Sequence, residues 1–331
     1  MNDNIINQFR LLIKQIKFDI DFSSGKQQLI HTYRLKSIQN VLKIIENYKQ
    51  EIKSSEQLKD IKGVGERSLE RIDEILKTGK LAEIKISDDI DKYLNIITEL
   101  EDIIGIGRKK AYELFKKHNI TSIDDLQKKY DNNEINLPDN IIKGLKYAKT
   151  IKENIPRTEI EQFENILMKT TMKIDPQLFG VVCGSYRRQK ETSGDIDFII
   201  THTALKTKAD NKINYIKQFV DILKKKNIII DSLTQDDVPT KYMGICQLNQ
   251  TLPYRRIDIR FIQYDSFYYA ILYFTGSKDF NRKMRQVALT MGYTLNEYGL
   301  FDKNNNMFKV ESEYEIFELL GMEYLTPDKR N

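Results

Sequence analysis

Gly184-Ser185-Tyr186-Arg187-Arg188, followed shortly by Gly194-Asp195-Ile196-Asp197-Phe198-Ile199-Ile200, constrains the fold of this chain more than any other stretch. A glycine-serine turn leads into a strand that Ile196, Phe198, Ile199 and Ile200 make apolar enough to bury. The two-residue period of a strand puts Asp195 and Asp197 on one face. Two neighbouring carboxylates repel each other, and burial raises the cost, so the pair calls for a cation. Magnesium suits it, because that ion takes hard oxygen ligands and is usually held by one or two carboxylates together with substrate phosphates. Gly184-Ser185 offers backbone N–H groups and a hydroxyl to a polyphosphate, and Arg187 and Arg188 offer fixed positive charge. A strand edge with solvated acids is the plainer alternative, and the turn and the arginines count against it.

A chain of 331 residues implies two or more compact units. Hydrophobic residues make up 40% of it, enough for packed cores, and 31% charged residues with a mean hydropathy of −0.52 predict high solubility. A net charge of +5 allows a polyanionic partner without demanding one. Cys183 and Cys246 each lie in an apolar segment, and His31, His118 and His202 are scattered, which argues against a disulfide framework or a zinc site. No leader-like start and no long apolar run is present, so a reducing, intracellular location is expected, with no membrane.

Residues 5 to about 150 read as helices: Ile5, Phe9, Leu12, Ile13 and Ile16, then Ile38, Val41, Leu42, Ile45 and Tyr48, recur at steps of three and four. Breaks are expected at Ser23-Ser24-Gly25 and Ser54-Ser55. After Pro156, residues 179–183, 196–200, 228–230 and 257–262 read as strands, with a helix over 213–224. The fold class is therefore α+β, an all-α N-terminal half followed by a mixed half. Within the helical half, Leu58-Lys59-Asp60-Ile61-Lys62-Gly63-Val64-Gly65 recurs 42 positions later as Leu100-Glu101-Asp102-Ile103-Ile104-Gly105-Ile106-Gly107. A Gly-x-Gly hairpin between helices exposes backbone N–H groups at a helix N-terminus, a site for phosphate that reads no base. Gly63, Gly65, Gly105 and Gly107 are thus candidate DNA-binding residues; a tight helix-helix turn that merely needs glycine is the competing reading.

A two-metal site needs a further ligand. Asp258, in Arg255-Arg256-Ile257-Asp258-Ile259-Arg260, offers one on another strand, with Arg256 and Arg260 at alternate positions to offset the acids. Alone, Asp258 reads as an ion-pair member; beside Asp195 and Asp197 it reads as the third acid.

With these residues in view, the chain resembles the family X DNA polymerases, of the polymerase β kind. GSYRRQKETSGDIDFIITH from Gly184, RRIDIRFI from Arg255, YFTGSKDFNRKMRQVALTMGYTLNEY from Tyr273 and the paired hairpins carry the likeness over nearly the whole chain. The resemblance implies an N-terminal lyase-like helical domain over 1–86, a thumb over 87–150, a catalytic palm over 151–262 and fingers over 263–331. It makes Asp195, Asp197 and Asp258 catalytic ligands of two magnesium ions, with manganese as a substitute. It assigns Ser185, Arg188 and Gly194 to the triphosphate, Tyr273, Phe274 and Gly276 to the sugar pocket, Asn281 to the incoming base, Arg285 to the template side, and Lys241 and Arg256 to the primer terminus. Carbonyls of Lys59, Ile61, Val64, Glu101, Ile103 and Ile106 would hold monovalent cations, sodium or potassium, that bridge to DNA phosphates. The implied activity is gap filling in base excision repair or replication, by a monomer acting on gapped or nicked duplex DNA and deoxynucleoside triphosphates. A repair ligase or other repair proteins would be partners, and the nucleus or a viral replication site the location.

The chain departs from that pattern in places. The lyase activity of the family uses a lysine that forms a Schiff base, and Arg71 stands at its position here; a guanidinium stays protonated and cannot attack an aldehyde. Thr32 and Lys36 replace a lysine and a tyrosine. Lyase activity is therefore expected to be weak or absent, with Arg67 and Arg71 still binding a 5′-phosphate, and Lys62, Lys77 or Lys80 as substitute amines. Asn154 stands where an arginine commonly faces the triphosphate, and Lys278 where a mammalian member has an aspartate, so Lys278 is expected to restore part of the lost positive field near the nucleotide. Two other functions compete: a template-independent nucleotidyltransferase sharing the Gly-Ser and Asp-x-Asp core, and a DNA-end binding scaffold with a vestigial site.

Overall fold

The computed structural model describes residues 2–330 except 208, 209, 211 and 236. It divides into two compact units, Met1–Leu145 and Lys146–Asn331. Among the described residues no helix is long and apolar enough to cross a membrane.

The first unit is helical: α1 (Asp3–Asp21), α2 (Gly25–Asn47), α3 (Glu66–Thr78), α4 (Asp88–Glu101), α5 (Arg108–His118), α6 (Ile123–Asp131) and α7 (Asp139–Tyr147), the last straddling the boundary. The apolar stripes read from the sequence are the buried faces: Ile5, Phe9, Leu12 and Ile16 of α1 pack with Ile38, Val41 and Ile45 of α2, and with Ile72 and Ile75 of α3. The break at Ser54-Ser55 holds a short 3₁₀ turn, Ser55–Leu58, closed by a capping box between Ser54 and Gln57. Each hairpin turns on a glycine in the left-handed region, Gly63 at φ 103° and Gly105 at φ 91°. At both, a Cβ would strike an asparagine amide, Asn40 at 2.5 Å and Asn140 at 2.7 Å, so the repeat includes an asparagine from a neighbouring helix.

In the second unit β1 (Ile155–Pro156) leads into α8 (Arg157–Ile174), β2 (Leu178–Val182), α9 (Gly184–Arg187), β3 (Thr192–Ser193), β4 (Ile196–His202), α10 (Tyr215–Lys225), β5 (Ile229–Ser232), β6 (Lys241–Cys246) and β7 (Arg255–Phe261). A five-stranded sheet runs β2-β4-β7-β6-β5. The β4–β7 pair is parallel and the other pairs are antiparallel. The last segment holds α11 (Phe267–Thr275), α12 (Lys278–Thr290), the β8 (Thr294–Asn296) and β9 (Gly299–Phe301) hairpin, and α13 (Glu313–Leu319). Strand β6 carried too mixed a pattern, with Lys241 exposed and Gly244 in its middle, to be read in advance.

Strand periodicity decides which side chains reach which face. Ile196, Phe198 and Ile200 of β4, with Ile257, Ile259 and Phe261 of β7, pack in one core with Phe163 and Leu167 of α8 and Phe219 and Leu223 of α10. Their alternates point the other way, where Ile199 joins Phe267, Ala270 and Ile271 of α11. A one-residue slip would bury every acid among α8 and α10, so the apolar set fixes the register of the site.

Candidate active site

In the parallel pairing of β4 with β7, Asp197 lies opposite Asp258. One oxygen from each of Asp195, Asp197 and Asp258 falls within 4.8 Å of the others. The three acids inferred from separate stretches therefore form one cluster, each half-buried. Burial, and then the Asp258 charge, raise the Asp197 carboxyl to about 7, against a pull down from Arg260 and Arg188. Burial also raises Asp258, with Arg256 and Arg260 opposing.

Arg256 sits among these acids. It donates to Asp195 through Nη2, and its Nε stops 3.8 Å from Asp258 Oδ1. Both Arg256 Nε and Asp258 Oδ1 are buried without a hydrogen-bond partner. An orphaned carboxylate oxygen, a carboxyl with raised pKa and an arginine standing in for missing charge are what a divalent-cation site of hard oxygens presents. The residues fit magnesium.

The turn beside the cluster is built around Gly184. Its φ is 60°, and a Cβ there would meet Asp197 Oδ2 at 2.6 Å. The Cys183 N–H donates to the Asp197 carbonyl at 2.8 Å, tying the turn to the strand. Ser185 and Arg188 follow on this turn, and Arg188 Nη1 donates to the Thr275 carbonyl at 2.5 Å. Gly194 is exposed at the entry to β4.

Next to Arg188, a buried network joins the turn to the C-terminal segment. Arg187 donates to Thr275 Oγ1 at 2.7 Å and to both Glu313 oxygens, at 3.1 and 2.5 Å. Glu313 also accepts from Arg330 at 2.6 Å. Arg330 is fully buried against the rings of Phe280, Phe317 and Tyr324, and its carbonyl accepts from Ser277 N–H at 2.9 Å. Burial alone would raise the Glu313 carboxyl, yet hydrogen bonding and charge from Arg187, and charge from Arg330, hold it below the usual glutamate range. Sequence reasoning missed Thr275, Glu313 and Arg330. Glu313 and Arg330 stand among several other charged residues of the C-terminal segment, so the sequence gives no signal that singles them out.

Tyr273, Asn281 and Arg285 line one pocket with Asn296. Asn281 donates to the Tyr273 carbonyl at 2.6 Å, and the Arg285 guanidinium lies 5.8 Å from the Tyr273 ring centroid. Phe274 lies under Arg260, 5.3 Å from ring centroid to guanidinium, and lines a second cavity with Lys241. An ideal Cβ at Gly276 would lie 3.4 Å from an Arg188 nitrogen, and exposed Lys278 opens α12. Asn154 is exposed.

In the first unit, Gly65 and Gly107 are the N-cap residues of α3 and α5, and neither helix start is covered by a side-chain cap. The Ile61 and Ile103 carbonyls each accept a bond within their hairpin, from Val64 and Ile106 N–H. Arg71, expected from the resemblance to stand at the lyase position, is paired: its Nε donates to Glu83 Oε1 at 2.5 Å, and Arg34 donates to the other Glu83 oxygen at 2.6 Å. A cavity of about 370 Å³ beside them is lined by Gln15, Asp19, Arg34, Glu83 and Lys85. Lys85 is the lysine that lines this cavity, and it is exposed, as are Lys62, Lys77 and Lys80.

Comparison with known proteins agrees with this geometry. Residues 154–264 match the DNA polymerase beta palm, 270–331 the DNA polymerase beta thumb, and 14–81 a helix-hairpin-helix domain. In that description the word thumb goes to the C-terminal segment that was expected, under another naming, to be the fingers. The chain is 30% identical to DNA polymerase lambda of Arabidopsis thaliana over 89% of its own length and 57% of that protein's. It is 30% identical to DNA polymerase lambda of Rattus norvegicus, over 87% and 50%. A DNA nucleotidylexotransferase of Xenopus laevis is 26% identical, over 85% and 60%. The chain thus spans about half to three-fifths of the length of these relatives.

Proposed function

The chain belongs to the family X DNA polymerases, and from that premise we propose that it fills short gaps in DNA by extending a primer 3′-hydroxyl with a deoxynucleotide. The convergence of Asp195, Asp197 and Asp258 beside the Gly184-Ser185 turn carries this reading. Two magnesium ions held by these acids, or manganese in their place, would supply charge neutralisation and Lewis-acid polarisation when bound. Asp258 Oδ1, buried and unpartnered, is placed to take the proton of the 3′-hydroxyl as its oxygen bonds to the α-phosphorus and the bond to the departing pyrophosphate breaks. Ser185, the backbone around Gly184 and Arg188 hold the triphosphate in line, with Gly194 near it. Tyr273, Phe274 and Gly276 shape the sugar pocket, Asn281 meets the base, and Arg285 the template side. Arg256 leaves the acids for the primer terminus when substrates arrive. Lys278 adds to the positive field near the nucleotide, so Lys278→Asp should weaken nucleotide affinity.

In the hairpins, Gly63, Gly65, Gly105 and Gly107 approach DNA phosphates through backbone N–H groups and bound sodium or potassium, with Arg67 nearby. Lyase activity is weak or absent, since Arg71 is chemically unsuited and is paired with Glu83 besides. Its free, buried cysteines suit a reducing compartment, the nucleus or a viral replication site, where a ligase would seal the product.

The test is filling of a one-nucleotide gap bearing a 5′-phosphate, comparing wild type with Asp197→Ala and Asp258→Ala. Synthesis should vanish in both variants, and undiminished synthesis would refute the assignment. The Xenopus relative keeps a second reading in play, untemplated addition; extension of a single strand without template would favour it.

A further inference from the structure

The connection between the two hairpin segments, residues 79–87, contains no helix or strand, yet it is fastened along α1. Leu81 is buried, and its N–H donates to Gln8 Oε1 at 3.0 Å. One heptad on, the Lys85 N–H donates to Gln15 Oε1 at 3.2 Å. Another heptad on, Phe22 packs edge-on against Tyr93 of α4 and Tyr112 of α5, with centroids 5.2 and 5.4 Å away. Seven residues are close to two helical turns, so Gln8 and Gln15 lie on one stripe of α1 that Phe22, its C-cap residue, continues. It is distinct from the stripe Ile5, Phe9, Leu12 and Ile16 that faces the first-hairpin core.

The strongest joint is at the end of this stripe. The Asp21 side chain is 5% exposed. It accepts two bonds from Arg108, at 2.9 and 2.6 Å, and one from the Tyr93 hydroxyl at 2.8 Å. Arg108 is the first residue of α5, directly after the second hairpin, and its remaining arm reaches Glu101 on the hairpin's other side at 3.2 Å. Tyr93, which bonds Asp21, itself packs edge-on against Phe18 and Phe115, with ring centroids 5.5 and 5.0 Å away. A bidentate pair of this kind sets orientation as well as proximity. At the surface Lys14 adds a bond to Asp91 at 3.0 Å.

We propose that α1 is a spine that presets the two hairpins at a fixed spacing, as one clamp for DNA phosphates, before any DNA is bound. Arg108, which its place at a hairpin would suggest as a DNA contact, is spent on the joint. Two weak phosphate sites held at a fixed spacing act as one strong site, because the second contact is made without ordering a linker. The DNA half of this statement rests on the polymerase reading; the joint itself does not.

The test measures the joint without DNA. Spin labels are placed on exposed α2 and α6 positions, Lys26→Cys and Lys128→Cys, in the full chain, whose own cysteines are buried. Wild type should give one narrow distance distribution, and Asp21→Asn or Arg108→Met a broad one. A broad distribution in wild type that only DNA narrows would overturn the proposal, as would an unchanged narrow one in both variants. Amide-exchange protection of α2 and α5 separates a loosened joint from unfolding. If either variant unfolds, Tyr93→Phe, which deletes one hydrogen bond, carries the test by the same criterion. Affinity for gapped duplex should fall roughly tenfold or more in the loosened variants. A narrow wild-type distribution with no DNA binding at all would leave the joint standing and remove the polymerase reading instead.

Discussion

Gly184→Ala isolates the contact between the turn and the acids. At φ 60° an alanine pays the left-handed penalty, about 1–2 kcal/mol. The larger consequence is positional. The new Cβ would lie 2.6 Å from Asp197 Oδ2, whereas ordinary contact begins near 3.4 Å, so the carboxylate must retreat by about 0.8 Å. Turning its side chain cannot restore the cluster, because Asp197 is tied at the backbone by Cys183 N–H and by its parallel register with Asp258. A reacting group misplaced by about 1 Å loses on the order of 10²-fold in rate, near 2.7 kcal/mol of transition-state stabilisation. The assay is single-turnover filling of a one-nucleotide gap, with stability read by urea unfolding. Gly321→Ala is the control: its φ is 61° and a Cβ there meets nothing within 4 Å. Both variants should lose similar stability, and only Gly184→Ala should lose rate. A folded Gly184→Ala enzyme within threefold of wild type, or equal rate losses in the two, would refute the reasoning.

The acid cluster also sets a pH dependence. Asp197 is raised from its ordinary 3.8 to about 7 in the folded chain, so the folded state binds the extra proton and stability declines as pH climbs from about 4 through 7, levelling above. In EDTA the melting temperature should fall over that window, less so in Asp197→Asn, and magnesium should restore it at pH 8; a flat wild-type profile would contradict this. Glu313→Gln leaves Arg187 and Arg330 without their shared, buried counter-charge, at a cost of roughly 3–5 kcal/mol. It should raise the KM for nucleotide more than it lowers kcat, since Arg187 adjoins Arg188, proposed above to hold the triphosphate, and denaturant titration with steady-state kinetics reads both effects. Borohydride should trap no adduct between wild type and an abasic 5′ end; efficient trapping would sink the lyase prediction and point to Lys85.

What the sequence made legible follows from periodicity and short spacing. Asp197 and Asp258 each sit in a strand between apolar neighbours, and Asp195 immediately precedes the first of these strands, so face and burial could be read before any pairing was known. The hairpins were legible because the chain repeats them. That Asp197 would lie opposite Asp258 needed the parallel pairing of strands some sixty residues apart, which alternation alone does not specify. Arg256 illustrates the remaining gap. Its position beside Asp258 suggested charge balance and a primer contact, and the fold puts it among all three acids, bonded to Asp195 and short of a bond to Asp258.

Long-range polar joints were invisible for a related reason. Asp21 and Arg108, or Arg187 and Glu313, are ordinary charged residues in their own helices, and surface charge is the sound expectation for each. Only the burial of Asp21 and Glu313 in the folded chain removes the water that would make such pairs worth little. A charged residue becomes structural when its aromatic neighbours come from other elements, as Arg330 does between Phe280, Phe317 and Tyr324. In this chain the two joints have different places: one ties α1 to the second hairpin, where we propose that it fixes the spacing of phosphate contacts, and the other holds the arginine turn against the segment that carries Tyr273. The residues that do chemistry were therefore readable one strand at a time, while those that aim the chemistry exist only as pairs.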